Sequence, residues 1–299
     1  MRGFVKELLI FLIPASVLYS IFCLVLLPIV FSYTNGPSTK EQIHRSFSNS
    51  LSRDYSLLFL GNSRFYRGID PDCFTIKAYN FSHDDDTYNQ IYYKLNFLSD
   101  NGKMIKYLVL GVDYFQFSFI SDARNHIYGS LLGEDYAKDY NSNYIIQEIK
   151  YRLGFLKPEK LQGLEFTEHK PFIKDNGQYI KFGLPKKNDS IKRSIQRLNI
   201  QVKYFEKILD LCNNKHIITF FVIMPIRDNE FANYKKNQIC EFNDFLSSFT
   251  NESVMLLDFG KDKNFKFQDF SDITHLNADA AERFSFKLND SIMSILNKR

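Results

Sequence analysis

The chain has no tryptophan, only four cysteines, and no block of concentrated positive charge. Each absence excludes something. The net charge of +4 is spread over the 299 residues, and the densest basic stretch, from Lys186-Lys187 to Arg197, is interrupted by Asp189. A nucleic-acid-binding surface needs a concentrated basic face, so nucleic acid is not an expected partner. The cysteines have no metal-like spacing, and Cys23 falls in an apolar run. For Cys73, Cys212 and Cys240, one disulfide and buried free thiols are equally compatible with the sequence. Neither a zinc site nor any organic cofactor is expected. There are no internal repeats, and glycine and proline stay at ordinary levels (13 and 8) beside 44% apolar residues. That composition excludes a disordered chain and supports a real core. The missing tryptophan, beside plentiful Lys, Asn, Ile, Phe and Tyr, reads as genome composition.

What is present begins with residues 8–31 (LLIFLIPASVLYSIFCLVLLPIVF), which carry no charge. About 20 apolar residues cross a bilayer as a helix. Arg2 and Lys6 precede the run and the next charge is Lys40, so the positive-inside rule puts residues 1–7 in the cytoplasm and the rest outside. The run exceeds a signal-peptide core and no small-x-small cleavage site follows it, so an uncleaved single-pass anchor is expected. Residues 32–50 read as a polar linker and 51–299 as an extracytoplasmic domain.

In that domain, apolar runs alternate with helical periodicity. Ser56–Leu60, Ala78–Phe81, Tyr107–Val112, His216–Met224 and Val254–Phe259 read as strands. Helices are expected from Thr87 to Asn101, from about Ser190 to Asn213, over Asn237–Phe249, and from Asn277 to the end. Continuous apolar strands between helices indicate a mostly parallel five-stranded sheet covered on both faces, a flavodoxin-like three-layer α/β/α sandwich. Residues 114–189 break the alternation. They read as an insertion over the carboxyl edge of the sheet, with a hairpin turning at Asp175-Asn176-Gly177.

Ligands of such sheets collect at the carboxyl ends of the strands. Ser63 follows the first strand there. A serine hydroxyl needs a neighbouring base to become a nucleophile. His275, in the loop after the last strand, is the candidate base, and Asp272 can curl back to orient it. Arg64 and Asp113 are candidates for substrate or oxyanion contact, as is Ser82. His83-Asp84-Asp85-Asp86 reads as a solvated loop rather than a metal cluster, because consecutive carboxylates diverge. Asp258 either points into the cleft or caps the sheet edge. Arg227 reads as a solvated loop arginine. Phe115, Phe117 and Phe119, at strand spacing, read as core rather than a sugar platform. Residues 121–124 and His126 suggest no mechanism. A nucleotide- or flavin-binding domain on the same sheet topology has little support, since Gly61-Asn62-Ser63 lacks the further glycines of a phosphate-binding fingerprint.

The order Gly61-Asn62-Ser63 after strand one, and Asp272-x-x-His275 before the last helix, resembles the SGNH (GDSL-like) hydrolase superfamily over roughly residues 55–299. The wording LGNSR, GIDP, YNFS and LVLGVD looks more like its membrane-anchored branch, near the DltD- and AlgJ-like proteins. That resemblance implies a serine acyltransferase or esterase with Ser63, Asp272 and His275 as its triad, acting on a cell-surface polysaccharide, most plausibly on acetyl esters. It also implies a membrane-bound O-acyltransferase as a partner. A non-catalytic accessory or binding protein is the alternative. Two departures stand out. The stretch Asn80-Phe81-Ser82-His83 lacks the family's oxyanion glycine, and Gly111-Val112-Asp113-Tyr114 carries Asp113 where the family has asparagine.

Overall fold

A computed structural model of the chain describes residues 2–27, 29–30, 38–122, 124–136, 146, 149–150, 153, 171–183, 193 and 195–299. Five parallel strands carry the fold: β1 (Leu57–Leu60), β2 (Ala78–Asn80), β3 (Tyr107–Gly111), β6 (Ile218–Ile223) and β7 (Val254–Asp258), side by side in the order β2-β1-β3-β6-β7. Leu57 pairs with Tyr107 and Leu60 with Leu110; Tyr107 pairs with Ile218, and Ile223 with Asp258. Between β3 and β6 lies a two-stranded antiparallel hairpin, β4 (Phe172–Ile173) and β5 (Tyr179–Ile180).

Side chains alternate across a strand, so a sheet buried on both faces needs unbroken apolar strands rather than alternating ones. On β1, Leu57 and Phe59 enter one core while Leu58 and Leu60 enter the other. Phe220 and Val222 of β6 follow the first pair, Phe221 and Ile223 the second. One core is covered by α2 (Thr39–Ser52), α4 (Tyr88–Asp100), α6 (Asn199–Asn214) and α8 (Lys236–Ser247). The other is covered by α3 (Ser63–Gly68) and α9 (Ala278–Leu296). On α9, Ala281, Phe284, Leu288 and Ile292 form the buried stripe, at the i, i+3, i+4 spacing that makes a helix amphipathic. Two short helices, α5 (Asn125–Leu132) and α7 (Asp228–Phe231), sit in the connections after β3 and β6.

At the N-terminus, α1 (Arg2–Ile21) continues through a wider-wound turn to Leu26. Lys6–Leu26 is long and apolar enough to cross a membrane, and almost none of it is buried against the rest of the chain. By length and composition it fits a membrane anchor or a signal sequence.

Three expectations need correction. The polar stretch 32–50 is not simply a linker, because residues 39–52 form α2. Its start is fixed by a capping box: Glu41 N–H donates to Ser38 Oγ (3.2 Å) and Ser38 N–H to Glu41 Oε2 (2.7 Å). Only Ile43 and Phe47 anchor it as large buried side chains, flanked by buried Ser46 and Ser50, so its stripe is too narrow to read against a polar background. Helix α6 starts at Asn199, not near Ser190, and the extended Leu198 before it donates its N–H to Phe117 O. Residues 190–192 and 194 lie outside the described residues. Phe115–Phe119 is not a strand: residues 116–118 turn as a 3₁₀ helix, with Gln116 N–H on Asp113 O, although Phe115 and Phe117 are buried as expected. Of the two alternatives the sequence left open for the cysteines, the structure has the free thiols: Cys73 and Cys212 are buried and Cys240 is exposed, and Cys23 is free as well.

The hairpin sits where the sequence placed it, docked on the carboxyl end of β2. Asn80 N–H donates to Asn176 O (2.9 Å), and Asn176 Nδ2 donates to Asp70 Oδ1 (2.8 Å). Much of the rest of the insertion, including residues 154–170 and 184–189, lies outside the described residues. Gly177 makes the docking possible. Its φ is +95°, and a Cβ there would lie 1.9 Å from Asn80 O. Gly177→Ala combines a left-handed backbone, worth ~1–3 kcal/mol for other residues, with that clash. We expect it to lower the thermal midpoint of the detergent-solubilised protein and to speed proteolysis around residues 171–183; an unchanged melting curve and digestion pattern would contradict the docking.

Candidate functional site

Two local structures meet at the carboxyl edge. On the first, β1 runs into Gly61, where a Cβ would come within 2.6 Å of the Phe65 ring, so the chain packs tightly as it turns. Asn62 then caps α3 through its side chain, Oδ1 accepting from Arg64 N–H at 2.9 Å. Ser63 is the first residue of that helix. On the second, residues 270–277 form a closed turn after β7. Ser271 N–H donates to His275 O (2.8 Å), and Asp272 Oδ1 accepts from the N–H groups of Thr274 (2.9 Å) and His275 (3.0 Å). An aspartate that bonds the backbone two and three residues ahead fixes its own loop. Asn277 then caps α9, accepting from Ala280 N–H.

The fold brings the two together. His275 Nε2 lies 2.8 Å from Ser63 Oγ, across 212 positions of sequence, while His275 Nδ1 lies 2.8 Å from both oxygens of Asp272. With Nδ1–H donating to the carboxylate, Nε2 presents a lone pair to the serine hydroxyl. This is the polarity that a serine, base and orienting acid require. The site is reachable: Ser63 is half-buried and the Asp272 side chain is 37% exposed, while the imidazole is mostly covered.

Electrostatics keep the imidazole neutral. Burial is the largest influence and pushes the His275 pKa down; the bond to Asp272 opposes this, and the nearby Arg67 charge lowers it further, leaving it below the ordinary histidine value. Burial raises the Asp272 pKa, but the imidazole N–H and the two backbone N–H groups outweigh it and hold the carboxyl well below its usual range.

Arg67 is the residue the sequence did not single out. It lies one helical turn beyond Ser63 on α3. Its Nη2 donates to Asp84 Oδ1 (3.0 Å), and its Nη1 reaches Asp272 Oδ2 (3.4 Å) and sits 3.0 Å from His275 Nδ1. Since Nδ1 already donates to Asp272, the two carboxylates take the guanidinium's donors and the imidazole only feels its charge. The one available signal was the i, i+4 spacing of Ser63 and Arg67, useful only once the segment is known to be helical. Arg227 was also misread. It is buried rather than solvated, with its guanidinium 4.8 Å from the Phe267 ring centroid and Nη1 3.4 Å from Asp272 O, so it braces the same loop.

The three oxyanion or substrate candidates are all buried. Arg64 is 2% exposed; it pairs closely with Glu230 and lies 3.8 Å from Asp113. Neighbouring helical residues diverge by about 100°, so Arg64 and Ser63 point to different sides. Asp113 Oδ2 accepts from Asn62 Nδ2 (3.0 Å), which makes it a buttress of the helix cap; burial raises its pKa, against the pull of Arg64 and Asn62. Ser82 is fully buried, with its N–H donated to Asn80 Oδ1 (3.1 Å). Asp258 caps the sheet edge, Oδ1 accepting from Gly260 N–H.

Residues 83–86 are not a solvated loop. His83 and Asp86 are buried with Lys94 and Tyr128. Lys94 Nζ donates to Phe81 O (2.9 Å) and Asp86 Oδ2 (2.5 Å), and Tyr128 OH donates to Asp86 Oδ1 (2.6 Å). Burial pulls the Lys94 pKa down to about 8 although Asp86 opposes it. Asp84 and Asp85 stay at the rim, held by Arg67 and Arg124. Among the described residues, no group of His, Cys, Asp and Glu is placed to hold a metal ion.

A family model, for a family without an assigned function, matches residues 180–297. No curated protein matches the chain. The matched segment contains Asp272 and His275 but stops short of Ser63, Arg67 and the Lys94 cluster.

The cluster is directly testable. Breaking a buried ion pair leaves one charge without its partner, at a cost of about 3–5 kcal/mol. Lys94→Met should destabilise the protein by that order in denaturant titrations followed by circular dichroism, whereas a change within ~0.5 kcal/mol would mean that Asp86 is not held as a buried anion.

Proposed function

We propose that the protein is a membrane-anchored serine O-acyltransferase or esterase of the SGNH-like kind, acting on ester groups, acetyl foremost, of an extracytoplasmic cell-surface polysaccharide. The observation that carries this reading is the Ser63 Oγ–His275 Nε2 contact of 2.8 Å, with Asp272 on the opposite ring nitrogen. The strand order β2-β1-β3-β6-β7, all parallel, supports a flavodoxin-like sheet with the serine after its first strand. The apolar helix over Lys6–Leu26 supports an anchor, and the basic Arg2 and Lys6 before the apolar run favour a domain outside.

In this mechanism His275 takes the proton as Ser63 Oγ attacks the ester carbonyl, and Asp272 stabilises the imidazolium that forms. The imidazolium returns that proton to the departing alcohol, leaving an acyl-serine. An incoming hydroxyl, from water in hydrolysis or from a sugar in transfer, then gives its proton to His275 and takes the acyl group, and the imidazolium returns that proton to Ser63 Oγ as the acyl–serine bond breaks. A membrane-bound O-acyltransferase would be a natural source of acyl groups for the transfer version.

A second reading, an accessory protein that binds polymer without chemistry, is favoured by one observation. Asp113 is spent on the Asn62 cap and Ser82 N–H on Asn80, so neither departure from the family pattern is compensated by those residues. Ser63→Ala separates the two. The proposed chemistry requires at least ~10³-fold loss of p-nitrophenyl acetate hydrolysis, complete loss of fluorophosphonate labelling, and loss of polymer acylation in cells. Unaltered acylation in that strain, beside loss in a deletion strain, would establish the accessory role.

The pH profile gives a second check. His275 must be neutral to accept the serine proton, so activity is present above its pKa and falls as pH drops through it. Because that pKa is lowered, the acid limb should lie below the ordinary histidine value of about 6.5. Arg67→Gln removes a neighbouring positive charge, so the limb should move to higher pH. A limb that stays in place would remove Arg67 from the electrostatics of the base.

A further inference from the structure

We propose that the carboxyl edge of the sheet, which carries Ser63 and His275, faces the lipid surface that holds α1, so that the ester it handles arrives on a lipid-linked carrier. The inference rests on the anchor reading of α1 and, for the nature of the substrate, on the function proposed above.

The direction of α2 is the main observation. Its C-terminal end lies at the amino edge of the sheet: Lys103, just before β3, donates from Nζ to Arg53 O, and Lys77, just before β2, pairs with Asp54 (2.6 Å). Halfway along, Ser46 Oγ meets Tyr79 OH of β2 (3.3 Å). At the next residue the neighbours already lie past the strand ends. The Phe47 ring is 6.4 Å from the His83 ring and 6.2 Å from that of Tyr128. Helix α2 therefore runs antiparallel to β1 and β2, and its first residues lie beyond the carboxyl edge.

The chain between anchor and domain is short. From residue 30 to Ser38 there are eight Cα–Cα steps, at most about 29 Å fully extended. With the carboxyl edge toward the bilayer, that length is ample. In the inverted pose Ser38 would stand at least the length of α2, about 21 Å, above the amino edge. The eight steps would then have to cover most of their fully extended length.

Surface chemistry points the same way. The loops that leave the carboxyl ends expose Ile120 and Phe267, and the hairpin docked there exposes Phe172 and Phe182. Apolar side chains of this kind suit a membrane interface. The amino edge instead exposes Lys77, Lys106 and Lys215 around Met104. Lysines can also attract anionic lipid, so the opposite orientation has a defined rival contact.

The test measures height above the membrane and needs no activity. The full-length protein, with exposed Cys240 replaced by Ser, receives one new label site at a time: Phe182→Cys or Ile120→Cys at the carboxyl edge, Met104→Cys or Lys106→Cys at the amino edge. Each is labelled with a fluorescent donor and reconstituted into phosphatidylcholine–phosphatidylglycerol vesicles carrying an acceptor on the lipid headgroup. Energy transfer should place positions 182 and 120 closer to the bilayer than 104 and 106, by about 20 Å, one α2 length. Equal heights, or a nearer amino edge, would overturn the orientation while leaving the Ser63 chemistry untouched. Protein that washes off the vesicles would overturn the anchor and this proposal together.

Discussion

All five strands point the same way, and the rest of the molecule depends on that constraint. A parallel sheet sends every strand's outgoing loop to one edge, so residues far apart in sequence converge there without any long-range recognition between them. Ser63 follows β1 and His275 follows β7; their meeting needs only correct strand order and closed turns of fixed geometry at both ends. Those turns are built from local hydrogen bonds: Asn62 onto Arg64 N–H on one side, and Asp272 onto Thr274 and His275 N–H on the other. The sheet supplies coarse placement and the turns supply the last ångström, as preorganised sites require.

Legibility in the sequence follows the same division. Strands buried on both faces announce themselves as unbroken apolar runs, and β1, β3, β6 and β7 were readable for that reason. Helix α9 was readable from its stripe of Phe284, Leu288 and Ile292. Helix α2 was not, because two large apolar residues in fourteen suffice when a helix lies across a groove at the edge of an existing core. Ser63, Asp272 and His275 were legible because their chemistry and their places in the element order agree. Arg67 and Arg227 were not, since an arginine in a polar segment looks solvated until a specific carboxylate or carbonyl is seen beside it.

The buried charges divide the carboxyl edge into a floor and a rim. Beneath the serine loop, Arg64, Asp113 and Glu230 lie almost wholly out of water, and beside it Lys94 and Asp86 do the same. Such pairs contribute little net stability against well-packed apolar groups, but each member becomes costly once its partner is lost. They act here as alignment devices: Asp113 holds Asn62, which caps α3, which aims Ser63. Asp86 accepts from His83 N–H and so fixes the loop that carries Asp84 to Arg67. The rim charges, Arg67, Asp84 and Asp272, stay partly hydrated and face the imidazole.

This division bears on how a developing oxyanion could be stabilised. Stabilisation requires donors aimed at the new charge and not already committed to another acceptor. Arg64 pairs with Glu230, Asn62 Nδ2 with Asp113 and Ser82 N–H with Asn80, while Arg64 Nε and Nη1 and Ser82 Oγ are buried without a hydrogen-bond partner. In the proposed acyl transfer, the backbone donors at the start of α3 are aimed by the conformation of residues 61–65. That conformation is set by the close approach of Gly61 to Phe65 and by the Asn62 cap, which places the weight of the chemistry on a turn whose geometry is fixed from below by Asp113.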